Sequence, residues 1–288
     1  MLANGKEVVL TDDQQLRVYW WNGVPNFGDL LSKDVVQFVS GRSVVWSKPV
    51  LAHLFAVGSI GREALRGSRG RNPDRGQPII WGSGCMSDEQ QPQIKGFATV
   101  CAVRGPLTAT LMGAPDAPFG DPGILAAEAL GLKAKRTAKI GIVPHWRMLK
   151  KLGIETFLGN TDEVVIIDPG QTPSRVAGLI ASCDILISSS LHGLIVADSY
   201  GVPNVLMRPV ATHESPMHKF ADYAKSVGRS LGEPLEIKDL NTFLRSGKPP
   251  KFDYADNVSA CKARIAAAFP DQLKTKAARR IPRMVACA

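Results

Sequence analysis

The residues in this chain best suited to chemistry are two histidines that each stand just past an apolar run. In DILISSSLHGLIVADSYGVPNVLM (184–207) a buried-strand pattern breaks at Ser188-Ser189-Ser190 and helical periodicity begins at once, so His192 falls in a first turn. Three hydroxyls and the unpaired N–H groups of a helix start make an anion-binding turn. A histidine there has its neutral form favoured by the helix dipole, while a bound anion draws a proton back, which suits acid/base work near neutrality. The plainer use of the same residues is a capping cluster. Asp198 faces another way and is not paired with His192. In KIGIVPHW (139–146) a strand runs straight into Pro144-His145. His145 then stands at the carboxyl end of that strand, as a ligand contact or as a hydrogen-bonded core histidine, and Trp146 beside it offers a flat face for stacking.

The first half supplies candidates of a different kind. WNGVPNFGDLLSKDVVQFV (21–39) reads as strand, Gly-containing turn and helix, with the helix starting near Asp29. Asn26 and Asp29 therefore lie at the edge where open α/β sheets bind ligands, or serve as an Asx turn and a helix cap. Gly58-Ser59-Ile60-Gly61 and Gly82-Ser83-Gly84 bring unobstructed backbone N–H groups to strand ends, Gly84 among them. Arg104, between an apolar strand and Pro106, can fork onto a carboxylate or phosphate, or pair with Asp121 or another carboxylate of the protein. Asp121 precedes Pro122 as an expected cap, with the option of holding Arg104 or accepting a hydroxyl.

The elements that position these residues follow from periodicity. Strand-like runs fall at 16–21, 53–58, 78–81, 98–103, 139–143, 163–168, 184–188 and 203–207, alternating with helix-length amphipathic segments. That is the pattern of parallel sheets covered by helices. The polar stretch 131–139 divides them four and four, which predicts an N-terminal Rossmann-like domain at 1–131 and a C-terminal one at 139–245. A helix and basic tail at 246–288 complete the chain. The Arg/Gly run 67–76 is expected to be a mobile surface loop, either merely solvated or a lid over an anion, and the segment after Pro270 to fray.

Composition narrows the function classes. A 288-residue chain with 44% apolar residues can furnish two cores, and its net charge of +9 asks for an anionic partner. Nucleic acid is disfavoured, because no basic stripe with interleaved aromatics occurs. Five scattered cysteines suit reduced thiols, and neither C-x-x-C nor Cys/His metal spacing is present. No run approaches the ~18–20 apolar residues of a membrane span, and the first residues lack the order of a signal peptide, so a cytoplasmic location is expected. Weak contact of the basic tail with anionic lipid at the inner membrane face stays open.

Taken in order, Asn26-Phe27-Gly28-Asp29, Gly82-Ser83-Gly84, Arg104-Gly105-Pro106, Gly120-Asp121-Pro122, Pro144-His145 and Ser189-Ser190-Leu191-His192-Gly193 resemble the polysaccharide pyruvyl transferase family, most closely its exopolysaccharide ketal-forming branch. The resemblance covers about residues 16–230. It implies two Rossmann-like domains facing across a cleft, as in two-domain glycosyltransferases of the GT-B type. It also implies phosphoenolpyruvate as donor substrate, a sugar or lipid-linked oligosaccharide as acceptor, and no cofactor or metal. His192 is then the acid/base and Arg104 a donor contact, with Ser188, Ser189 and Ser190 on the anion and His145 on a ligand. Many members carry arginine where this chain has Ser190, so a second cation must come from Arg208, Lys219 or Arg147. Asp29 or Asp121 would orient the acceptor hydroxyls. The rival reading is a nucleotide-sugar glycosyltransferase using the same cleft.

Overall fold

The computed structural model describes residues 8–88, 94, 96–133, 135–149, 164–209, 215–246 and 250–280. The strands are β1 (Leu16–Tyr19), β2 (Val44–Trp46), β3 (Leu54–Phe55), β4 (Ile79–Ser83), β5 (Thr99–Val103), β6 (Ala138–Val143), β7 (Val164–Ile166), β8 (Cys183–Ser188) and β9 (Asn204–Leu206). The helices are α1 (Phe27–Ser40), α2 (Gly61–Arg69), α3 (Pro106–Met112), α4 (Ala126–Leu130), α5 (Trp146–Leu149) and α6 (Pro173–Ala181). They continue with α7 (Leu191–Ser199), α8 (His218–Ser226), α9 (Leu240–Ser246), α10 (Ala255–Ala267) and α11 (Lys276–Arg280).

Two parallel sheets result, in the orders β2-β1-β3-β4-β5 and β7-β6-β8-β9. Each of the eight expected strand runs contains a strand, with Glu163 at the start of the sixth run outside the described residues. β2 was not anticipated: three residues at a sheet edge are too few to display a period. The sheets are separate, but their cores are not. One cluster of buried side chains runs from Leu16 and Val18 through Phe27, Leu31 and Val35 of α1 to Val143, Leu186, Leu194 and Ile195. Parallel sheets need both faces covered, and α1 and α7 provide cover where the halves meet.

The C-terminal segment crosses back to the first sheet. Trp81 donates its indole N–H to the Ile265 carbonyl of α10 at 2.8 Å and packs edge-on against Phe269. The expected fraying after Pro270 is corrected: Leu273 is buried, Arg42 Nε donates to its carbonyl at 2.8 Å, and Thr275 N–H donates to Ser40 O at 2.9 Å. Residues 281–288 lie outside the described residues.

The Arg/Gly run is also corrected. α2 continues to Arg69, and Gly67 sits so close to Pro49 that a Cβ would lie 2.5 Å from its carbonyl oxygen. Arg71 donates to the carbonyls of Ala52 and Gly76, at 2.6 and 2.5 Å. A guanidinium with several donors satisfies a turn that has no apolar side chains of its own.

α7 is tied down by a buried polar node. Asp198 accepts hydrogen bonds from Tyr223 Oη (2.7 Å), Tyr254 Oη (2.8 Å), Asn204 Nδ2 (2.7 Å) and Arg229 Nη1 (3.1 Å). α7, α8, β9 and the segments just after α8 and just before α10 therefore meet on one carboxylate.

Candidate active site

A cleft of about 350 Å³ opens at the carboxyl ends of β1, β3, β6 and β8, and both halves line it. Tyr19, Trp21, Asn26, Asp29, Ser59 and Glu63 face it from the first half, and His145, Trp146, Arg147, Ser190, His192 and Lys219 from the second. This is the edge where open α/β sheets hold ligands.

At its centre three ionisable groups converge. His192 packs closely against Gly28, where a Cβ would come within 2.0 Å of Nδ1, so only glycine fits beside it. A Cβ on Gly58 would meet Asp29 Oδ1 at 3.4 Å and His192 Cε1 at 3.9 Å, which brings carboxylate and imidazole over the same glycine. His192 Nε2 is buried and has no hydrogen-bond partner among the described residues. Burial, and secondarily the charges of Lys219 and Arg104, push this imidazole down to about 3. Burial raises Asp29 to about 7 against the pull of Lys219, with Asp121 adding to the rise. Lys219 falls to about 8 through burial and then Arg104, with Asp29 opposing. Near neutral pH the cleft thus holds a neutral imidazole, a carboxyl close to half-protonated and an ammonium that can lose its proton. Such perturbed groups in one cleft are what acid/base chemistry requires.

Local sequence explains the placement. Asn26 caps α1 by accepting the Gly28 N–H at 3.0 Å, which starts the helix at Phe27 and leaves the Asp29 side chain on the cleft side of the first turn. The helix start expected near Asp29 is corrected by two residues. In the serine turn, Ser188 and Ser189 are fully buried. Ser188 Oγ accepts the Ser190 N–H (3.0 Å) and contacts Val143 O (2.8 Å), while Ser189 Oγ accepts the His145 N–H (2.8 Å). Those two hydroxyls hold the turn and the His145 backbone. Ser190, at the start of α7, is the member that lines the cleft.

Arg104 is wholly buried. Its Nε donates to Asp222 Oδ2 (3.0 Å), Nη1 to Ser59 Oγ (2.6 Å) and Nη2 to the Cys85 carbonyl (2.6 Å). Gly84 makes room for it, since a Cβ would lie 2.2 Å from Cζ, and the Gly84 N–H is spent on Gly58 O.

With this geometry in view, the comparisons with known proteins are specific. Residues 124–209, which carry β6, β8, α7, His145, the serine turn and His192, match the polysaccharide pyruvyl transferase family model. The chain is 28% identical over 220 residues to the succinoglycan biosynthesis protein ExoV of Rhizobium meliloti (strain 1021), an alignment covering 73% of this chain and 64% of that one. It is 34% identical over 161 residues to uncharacterized protein L143 of Acanthamoeba polyphaga mimivirus, covering 52% and 55% respectively. The chain therefore spans between half and two thirds of the length of these relatives.

Of the residues singled out from sequence, the fold brings Asn26, Asp29, His145, Ser190, His192 and Lys219 to the wall of the cleft. Arg104, Gly84, Ser188 and Ser189 lie behind that wall. Asp121 caps the turn after it, accepting the Gly123 N–H at 2.9 Å, and burial raises it to about 6 despite Arg104. Arg208 is surface-exposed and paired with Glu236, away from the cleft lining. Among the three cations offered for the position of Ser190, Lys219 and Arg147 line the cleft.

Sequence reasoning missed Trp21 and Asp222, and it named Ser59 for its backbone and not for its hydroxyl. Trp21 stacks on Trp146 across the cleft, with ring centroids 6.4 Å apart at 29°, and Arg147 sits over the Trp146 ring. Its signal was the pair Trp20-Trp21 at a strand end. Asp222 is a fully buried helix residue that accepts from Arg104, Leu107 N–H, Thr108 N–H and Thr108 Oγ1. Nothing in FADYAKS marks it, because its partners lie more than a hundred residues away.

Proposed function

We propose that this chain transfers pyruvate from phosphoenolpyruvate onto two hydroxyls of a sugar in an exopolysaccharide, forming a cyclic ketal. The match of residues 124–209 to the polysaccharide pyruvyl transferase family model and the likeness to a succinoglycan biosynthesis protein support the reaction class and the polysaccharide acceptor. The observation that carries the reading is the buried, unpartnered His192 Nε2 set beside Lys219 and Asp29 in one cleft.

In this reading two Rossmann-like domains, 1–131 and 139–245, face each other in the GT-B manner and the donor binds between them. Its trianion meets Lys219, the Ser190 turn and the field of Arg104, and this negative charge raises the His192 pKa from its depressed value. Imidazolium then gives its proton to the methylene carbon. One sugar hydroxyl adds to the adjacent carbon and returns a proton to His192, with Asp29 orienting the hydroxyl pair. The carbon–oxygen bond to phosphate breaks, the second hydroxyl closes the ring, and its proton leaves on the phosphate. No cofactor is consumed in this sequence. Trp21 and Trp146 provide stacking faces for the acceptor ring. No helix among the described residues is long and apolar enough to cross a membrane, and in this proposal the enzyme works in the cytoplasm, meeting a lipid-linked acceptor at the inner membrane face.

The test is incubation with a pyruvate-free exopolysaccharide repeat and either phosphoenolpyruvate or a nucleotide sugar. Phosphate release with phosphoenolpyruvate, with a ketal methyl signal on the product, is expected. Nucleotide release with no reaction of phosphoenolpyruvate would move the assignment to a glycosyltransferase.

A further inference from the structure

Resting on that reading of the cleft, we propose that Ser59 is a donor-substrate contact: its hydroxyl, held as an acceptor by the buried Arg104, gives its proton to an anionic oxygen of the bound trianion. A guanidinium has N–H donors and no acceptor. In the 2.6 Å bond from Arg104 Nη1, Ser59 Oγ must therefore accept. Its own proton is left over, and among the described residues no acceptor takes it. Ser59 is only half-buried and lines the cleft with Asp29, Ser190, His192 and Lys219.

Arg104 itself cannot reach the ligand in this arrangement. It has no exposed surface, it runs over Gly84 at a spacing that excludes a Cβ, and Asp222 and the Cys85 carbonyl hold its other two nitrogens. The Asp222 carboxylate that pairs with it also serves Leu107 N–H, Thr108 N–H and Thr108 Oγ1. The cation's field reaches the cleft, where it helps depress both His192 and Lys219. Polarised by that cation, the Ser59 hydroxyl becomes a stronger donor than an ordinary serine, since chained hydrogen bonds reinforce one another. The arrangement delivers a buried charge to the ligand through one hydroxyl, without exposing the arginine.

The experiment is calorimetric titration of phosphoenolpyruvate, and separately of inorganic phosphate, into the full chain and two variants. Ser59→Ala removes the cleft hydroxyl. Thr108→Val removes a hydroxyl of the same buried network on the side of Asp222, behind the cleft wall. A hydrogen bond to a charged group is worth enough that Ser59→Ala should weaken phosphoenolpyruvate binding on the order of 10- to 100-fold. Thr108→Val should lower the melting temperature yet keep donor affinity within about twofold of the parent. Parent-like affinity in Ser59→Ala overturns the proposal, and so does an equal loss in both variants, which would make the effect one of general loosening. If the parent binds phosphate, but not phosphoenolpyruvate, and Ser59→Ala loses the phosphate, Ser59 stands as an anion contact while the donor reading falls.

Discussion

The two ends of α7 carry two polar side chains, Asp198 buried and His192 half-buried, with opposite surroundings. At the carboxyl end Asp198 is saturated, with two tyrosine hydroxyls, an amide and a guanidinium on its oxygens. At the amino end His192 lines the cleft, and its buried Nε2 has no partner among the described residues. Leaving a buried polar atom unpaired costs about 1–3 kcal/mol, and folded proteins leave few of them. Six positions along one helix thus separate a group used to build the fold from one kept available for something the protein itself does not supply. Polar burial alone does not identify a site; polar burial without satisfaction, in a cleft, does.

The contrast can be broken by substitution at either end. His192→Ala should cut turnover by ~10²–10⁴, the usual share of general acid/base catalysis, while the melting temperature stays the same or rises, because no internal bond is lost. Loss of stability parallel to loss of activity would put His192 with Asp198 as a structural group. Asp198→Ala should do the reverse in kind: with Arg229 left unpaired in a buried place, denaturation should show a loss of about 3–5 kcal/mol, and whatever protein stays folded should bind phosphoenolpyruvate as the parent does. A smaller change sharpens the picture. Tyr254→Phe deletes one of the bonds to Asp198 and should cost about 1 kcal/mol in denaturant unfolding, with donor affinity unaltered. A drop in donor affinity there would mean that the node and the cleft are coupled along α7.

How much of this was legible in the sequence depended on the range of the interactions. Strand runs, the break at Ser188-Ser189-Ser190 and the turn at Asn26 are local, so periodicity and turn chemistry exposed them, and the ordered set of short motifs exposed the family resemblance. Which serine faces the cleft was not legible, because Ser188 and Ser189 are claimed by Val143 and His145 from a neighbouring strand end. Nor was the burial of Arg104, which follows from a carboxylate on α8. The Arg/Gly run looked structureless for want of apolar residues, but Arg71 holds it through backbone carbonyls. Composition does not register that kind of contact.

The protonation of His192 gives the most direct test. Empty, the imidazole is held neutral down to about pH 3, chiefly by burial. A trianion beside it raises that pKa, so donor binding takes up a proton, and affinity tightens as pH falls from the bound toward the free value. The measurement is the ¹⁵N chemical shift of the His192 ring nitrogens, assigned by comparison with His192→Ala and recorded near neutral pH with and without phosphoenolpyruvate. The account predicts a neutral ring in the free protein that becomes imidazolium when the donor binds. A ring already charged in the free protein, or one still neutral in the saturated complex, would contradict it.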